Sequence, residues 1–229
     1  MNSNVIIALD FPSKEEMFTF LKPLESYHPY VKVGMEMFYK EGPDVVRELK
    51  KMGFKIFLDL KLCDIPNTVK MAMAKLGALG VDIINLHAFG GINMMKAARE
   101  GLNMTEEGKK TKLIAVTILT SLSDEILENE LNIKTNVADT VKKYAQNAKD
   151  AGLDGVVCSP LEASIIKEMG LISVTPGIRL AGDDVNDQKR VATPALAKEM
   201  GSTYIVVGRS ITKANDPVAA YLKCVEDFQ

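Results

Sequence analysis

Eight short runs of apolar and β-branched residues recur along the chain: Val5 to Asp10, Val31 to Gly34, Lys55 to Lys61, Asp82 to His87, Lys112 to Thr120, Gly155 to Ser159, Ile172 to Pro176 and Tyr204 to Arg209. Between them lie amphipathic segments with helix-start chemistry, among them Ser13 with Glu16 as a capping box, Gly42-Pro43, Asn67-Thr68, Thr193-Pro194 and Asp216-Pro217. Gly53, Gly80, Gly152, Gly170 and Gly201 stand where several of these helices close before the next strand. Strand and helix therefore alternate throughout, which implies parallel strands joined by right-handed crossovers, and the near-continuous apolar runs imply burial on both faces. An open doubly wound sheet and a closed barrel both satisfy that pattern. The open sheet usually carries a Gly-rich loop after its first strand, whereas Asp10-Phe11-Pro12-Ser13 contains no glycine, so the expected fold is α/β, a (β/α)₈ TIM barrel.

With 229 residues the chain is close to the ~250 typical of such a barrel, and residues 1–229 are expected to form a single domain. Thr105 to Thr111 reads as a polar connector and Ser121 to Thr135 as a long polar loop, a candidate mobile lid. A hydrophobic content of 47% with 25% charged residues is globular, and a formal charge of -2 offers no broad basic field, so nucleic acid is not an expected partner. Cys63, Cys158 and Cys224 form no Cys-x-x-Cys pair, which argues against a disulfide framework and a thiolate metal site and fits a reducing cytoplasm. Val5 to Leu9 lacks the basic start and longer apolar region of a signal peptide, and no apolar stretch reaches the ~18 residues that would suggest a membrane span.

In a barrel of this kind the active site lies where the strands end at their C-termini. Polar residues gather at those places: Asp10 on the first strand, Lys32 on the second, Asp59 and Lys61 on the third, His87 on the fourth, Thr117 and Thr120 on the fifth, Gly208 and Arg209 on the eighth. The densest segment is Asp59-Leu60-Lys61-Leu62-Cys63-Asp64-Ile65-Pro66-Asn67-Thr68. Strand alternation points Asp59 and Lys61 to one side and Leu60 to the other, so a carboxylate sits beside an ammonium. Lys32 would add a second cation and Asp64 a second anion. Buried together, such a chain of charges would keep Lys61 protonated and Asp59 ionised at neutral pH. Each residue taken singly is more often a solvated rim group or an ordinary salt bridge; several on consecutive strands at one depth make a site the better reading. His87, a lone histidine closing a strand, is more often a satisfied structural residue and is not assigned to the site.

A second constellation joins Thr175-Pro176-Gly177-Ile178-Arg179 to Val206-Val207-Gly208-Arg209-Ser210. Glycine admits close approach of a ligand to the backbone, free amides favour an anion, and arginine grips phosphate through two bonds. Gly-Arg alone is as often an ordinary turn, but a position after the eighth strand of a barrel points to a phosphorylated substrate.

Along essentially its whole length the chain resembles the orotidine 5'-monophosphate decarboxylases, in their short bacterial form. The resemblance rests on Asp59-x-Lys61-x-x-Asp64-Ile65-Pro66-Asn67-Thr68 together with Ala8-Leu9-Asp10, Val31-Lys32-Val33-Gly34, Leu119-Thr120-Ser121, Thr175-Pro176-Gly177-Ile178-Arg179, Asp187-Gln188-Lys189-Arg190 and Val207-Gly208-Arg209, in order and spacing. Two departures are Cys63, where close bacterial relatives carry histidine, and Leu180, where proline is common.

The resemblance implies that Asp10 and Lys32 hold the ribose hydroxyls and that Asp59, Lys61 and Asp64 surround the reacting carbon. It further implies a homodimer with shared sites, Asp64 and Thr68 crossing to the partner and Ile65 counted among the substrate-binding residues. Thr120 would contact the pyrimidine, with Ser123 a competing assignment, and Arg179, Gln188, Gly208 and Arg209 would surround the phosphate. Lys61 would stabilise the carbanion left by departing carbon dioxide and then protonate it, with no metal or other cofactor. Closure of the Ala181 to Lys189 segment over the substrate would draw on phosphate binding energy. Two rival readings are a magnesium-dependent sugar-phosphate decarboxylase or aldolase with a similar Asp-x-Lys-x-x-Asp segment, and a catalytically silent nucleotide-binding barrel. Lys32 would repel the metal of the first, and Lys61 beside Asp59 argues against the second.

Overall fold

The computed structural model describes residues 3–180 and 192–229. Its eight strands are β1 (Val5–Ala8), β2 (Tyr30–Gly34), β3 (Lys55–Leu62), β4 (Ile83–His87), β5 (Lys112–Val116), β6 (Gly155–Val157), β7 (Ile172–Ile178) and β8 (Tyr204–Val207). They pair in sequence order, all parallel, and β8 returns to β1 to close the barrel. Closure answers the choice between the two architectures that alternation alone left open.

Alternation along each strand sorts the core into two layers. Ile6, Ala8, Tyr30, Phe57, Ile83, Ile114, Val174 and Val206 pack inside the barrel, while Val5, Ile7, Val31, Val33, Leu58 and Ile84 face the surrounding helices. A side chain as completely buried as these aliphatics contributes about 1.5–3 kcal/mol. The helix starts expected at Ser13, Thr193 and Asp216 are capped by those side chains, which accept from the backbone N–H groups of Glu16, Leu196 and Ala219. All five glycines expected at helix ends have positive φ, the conformation that glycine adopts at no steric cost.

Several local expectations are corrected. β5 stops at Val116 rather than at Thr120, because β4 ends at His87 and β6 at Val157 and leave the later residues no ladder to join. Thr105 to Thr111 is not a mere connector: Thr105 caps a short helix, Glu106–Lys110. Ser121 to Thr135 likewise contains a helix, Asp124–Asn129, started by the Ser123 hydroxyl. Asn67 and Thr68 do not cap the helix Pro66–Gly77; they lie in its first turn, and Ile65 holds the cap position in an extended conformation without a side-chain bond. Arg209 opens the helix Arg209–Thr212 instead of ending β8. Among the described residues no helix is long and apolar enough to cross a membrane.

Candidate active site

Register places the charged residues of the first three strands side by side. Ala8 is level with Lys32, and Gly34 with Asp59, so Asp10, Lys32 and Asp59 converge at one end of the barrel. Lys32 Nζ lies 3.0 Å from Asp10 Oδ1 and 3.5 Å from Asp59 Oδ2, and Lys61 Nζ donates to Asp59 Oδ1 at 2.6 Å. The chain of alternating charge thus runs Asp10, Lys32, Asp59, Lys61. A Cβ on Gly34 would stand 3.2 Å from Lys32 Nζ and 3.4 Å from Asp10 Oδ1, so the bare backbone there leaves room for the ion pair.

Burial and pairing oppose each other at these groups, and pairing prevails. For Lys32, burial disfavours the ammonium, but Asp59 and Asp10 outweigh it and raise its pKa above the usual lysine range. For Asp59, burial disfavours the carboxylate, yet Lys32, Lys61 and a hydrogen bond from Asn85 hold it below the usual range. His87 is lowered by burial and by the charge of Lys61, with Asp59 acting in the opposite sense. Lys32 and Asp59 are therefore both charged at neutral pH, with His87 neutral beside them.

Lys61 is where simple alternation fails. It points toward Asp59 as expected, but it does so from a left-handed backbone with φ 52°, within an irregular stretch of β3 between Leu58 and Leu62. Asn85 on β4, fully buried, spans that stretch: its Nδ2 donates to Asp59 Oδ1 at 2.7 Å and its Oδ1 accepts from the Lys61 backbone N–H at 2.8 Å. Sequence reasoning missed Asn85. The signal was an amide inside the otherwise aliphatic run Ile83-Ile84-Asn85-Leu86.

Asp64 does not join the charged chain. The turn after β3 carries it outward, where its carboxylate accepts from the Ile65 backbone N–H at 2.6 Å; every residue from Cys63 to Thr68 is exposed. The pairing of Asp64 with Lys61 read from spacing alone is corrected to that extent, because the turn leaves the strand direction just beyond Leu62.

The charges border a cavity of about 200 Å³ lined also by Phe57, Val116, Ile118, Thr120, Val157, Cys158, Val174, Pro176 and Val206. One wall is ionic and the opposite wall apolar, which suits a flat ring with one reactive edge. Thr120 lines this cavity, whereas the Ser123 hydroxyl accepts from the Ile126 N–H as a helix cap, so geometry favours Thr120 of the two. Beside it a second, more apolar hollow of about 350 Å³ is formed by Cys63, His87, Phe89, Leu119, Leu131, Ile133 and neighbouring residues. No group of three or more His, Cys, Asp or Glu side chains suited to a metal ion occurs among the described residues.

At the β7–β8 side the two Gly-Arg segments come together. Leu180 N–H donates to Ser210 Oγ at 3.4 Å, and Gly177 and Arg179 exchange backbone bonds with Ala192, which pins the base of the connection between them. Arg179 Nη1 donates to the Ile178 carbonyl at 2.9 Å. Among the described residues a Cβ on Gly208 would meet Ala8 Cβ alone, at 3.8 Å, and the ψ of -109° at this glycine lies outside the usual α and β ranges. Gln188 and the Ala181 to Lys189 segment lie outside the described residues.

The fold is a (β/α)₈ barrel with a cluster of paired charges at one end. Residues 3–224 match the orotidine 5'-phosphate decarboxylase / HUMPS family, and the chain belongs to it. Its relatives include orotidine 5'-phosphate decarboxylases of Bacillus cereus (strain Q1) and Bacillus cytotoxicus, each 56% identical over 226 residues covering 96% of this chain and 95% of the relative. Among solved structures, an orotidine 5'-phosphate decarboxylase from Lactobacillus acidophilus superposes with a TM-score of 0.89 at 44% identity over the whole of both chains. An uncharacterized conserved protein from Geobacillus kaustophilus does so with 0.88 at 45% identity, over 98% of this chain and 100% of that one.

Proposed function

We infer that this chain is an orotidine 5'-phosphate decarboxylase, a carboxy-lyase converting orotidine 5'-monophosphate to uridine 5'-monophosphate and carbon dioxide in pyrimidine biosynthesis, with Lys61 as the proton donor. Family membership and relatives at 56% identity carry the reaction; the 2.6 Å contact between Lys61 Nζ and Asp59 at the cavity wall carries the assignment of Lys61. Loss of carbon dioxide leaves an electron pair on a ring carbon that the pyrimidine delocalises poorly. A cation fixed beside that carbon stabilises the pair and then supplies the proton, so the step draws on side chains rather than on a cofactor. Asp59 orients the ammonium; ground-state repulsion of the substrate carboxylate is not required for that role.

Asp10 and Lys32 are assigned to the ribose, Thr120 to the base, and Arg179, Gln188, Gly208 and Arg209 to the phosphate. Asp64, Ile65 and Thr68 are assigned to the neighbouring site of a homodimer. In support, the turn that bears them projects outward, and Ile65, Phe89, Leu119 and Leu131 expose large apolar side chains near the same rim, a patch that a second copy would cover. The enzyme is assigned to the cytoplasm.

The deciding experiment is turnover of orotidine 5'-monophosphate in a buffer containing EDTA, following uridine 5'-monophosphate and carbon dioxide together. Equimolar products at an unchanged rate are expected. Loss of activity restored by magnesium would favour the sugar-phosphate chemistry, and binding without turnover would favour a silent nucleotide-binding barrel.

A further inference from the structure

Asn85 stands opposite an interruption in the β3–β4 ladder. Leu58 pairs with Ile84 and Leu62 with Leu86, so three residues of β3, Asp59 to Lys61, face the single residue Asn85 of β4. Surplus residues in one strand bend it, re-aim side chains and leave backbone groups without ladder partners. Lys61 takes up the distortion at φ 52°, a conformation that residues with a Cβ seldom adopt.

The Asn85 amide occupies the gap. Its Oδ1 accepts the Lys61 backbone N–H, and its Nδ2 donates to the same Asp59 oxygen that receives the Lys61 ammonium. Backbone and side chain of Lys61 are thereby tied to one carboxylate in a closed ring of hydrogen bonds. An aliphatic residue would suit the packing of this buried position equally well, but it would leave the Lys61 N–H unpaired and Asp59 one donor short.

We propose that Asn85 is a positioning residue for the decarboxylation: it holds the left-handed turn at Lys61 and so keeps the ammonium against Asp59 and over the cavity. The inference rests on the reading of Lys61 as the proton donor. Asn85 acts through Lys61, and β4 does not adjoin β7 or β8, beyond which Arg179 and Arg209 lie, so it governs the chemical step rather than substrate capture.

Two substitutions and one control test it. In Asn85→Ala, kcat should fall by about 10- to 100-fold with KM changed less than about threefold, the signature of a displaced reacting group. In Asn85→Asp, a protonated carboxyl can reproduce both bonds, donating to Asp59 and accepting from the Lys61 N–H, whereas an ionised one opposes Asp59. Its kcat should therefore decline with rising pH along a limb that the parent and Asn85→Ala lack, at pH values where circular dichroism still reports folded protein. A merely structural role would change thermal stability without creating that limb. Parental kcat in both variants, or a decline in Asn85→Asp parallel to the parent, would overturn the proposal; should Asn85→Ala fail to fold, the pH profile of Asn85→Asp decides alone. Lys61→Ala in the same assay separates the two claims. If it keeps turnover, the donor assignment fails; if it loses turnover while the Asn85 variants do not, only the positioning role fails.

Discussion

The ionic wall on β1 to β4 and the Gly-Arg segments after β7 and β8 border the same barrel mouth but are built differently. Lys32 and Asp59 each keep 12% of their side-chain exposure and Lys61 keeps 25%, and every one of them is held by an oppositely charged neighbour. Among the described residues the other region shows the backbone exchange of Gly177 and Arg179 with Ala192, the bond from the Leu180 N–H to the Ser210 hydroxyl, and Gly208 without a side chain. If the roles proposed above hold, the groups assigned to the reacting carbon are fixed on and beside strands at the expense of burying charge, whereas those assigned to the phosphate stand at a strand end and a helix start.

The sharpest break in that contrast is Lys61→Ala. Its kcat should fall at least about 10³-fold, combining proton transfer with the lost cation, while nucleotide binding measured by calorimetry persists. A rate within tenfold of the parent would remove Lys61 from the chemistry. Arg209→Ala should have the opposite signature, KM rising about 10- to 100-fold as a charge-assisted contact of about 1.5–3 kcal/mol is lost in ground and transition states alike. If the two variants exchanged signatures, the division between reacting wall and gripping end would be wrong.

Subunit mixing sharpens the contrast further by asking which region the partner completes. Mixed Lys61→Ala and Asp64→Ala chains, each nearly inactive alone, should recover toward about a quarter of parental activity, since half the dimers are hybrids and each hybrid has one intact site. Lys61→Ala mixed with Arg209→Ala should gain no activity beyond that of its Arg209→Ala chains, since the proposal places both residues in the site of their own chain. No recovery in the first mixture despite demonstrated exchange would place Asp64 in its own site.

The smallest expected effect is on stability against pH. Asp59 titrates below its ordinary value of 3.8 in the folded chain, so its contribution is present above that value and is lost as the pH falls through the folded value. Lys32 titrates above 10.5, so its contribution is complete below that value and is lost on further alkalinisation. Asp59→Asn should lower stability at neutral pH by about 1.5–3 kcal/mol, the worth of a hydrogen bond to a charged group. The thermal midpoint should then drop by about 2–4 °C per kcal/mol, with the gap to the parent closing in acid. A gap that stays constant to pH 3 or so would mean that Asp59 is not held ionised by its neighbours.

Much of this was legible from one dimension because it depends on local rules. Eight near-continuous apolar runs with capped helices between them dictate alternating parallel strands, and charged residues on those strands mark one end, so Lys32, Asp59 and Lys61 could be placed together in advance. Spacing misled where the chain leaves regular geometry. Asp64 follows Lys61 closely in sequence, yet the exposed turn from Cys63 to Thr68 carries it away from that lysine. Arg209 starts a helix, and Ser123 spends its hydroxyl on a cap.

What sequence alone determined is the set of elements and the order in which they follow, because hydrophobic periodicity and capping act within a few residues. The missing Gly-rich loop after the first strand pointed to a closed barrel, but the closure itself is a tertiary event, since only the pairing of β8 with β1 removes both edges. Tertiary structure also decided that three residues of β3 face one of β4, a matter of register between strands more than twenty positions apart in the chain. That mismatch turns Lys61 left-handed and gives a buried amide on the next strand a bond to make, and neither consequence is encoded in the immediate neighbours of either residue.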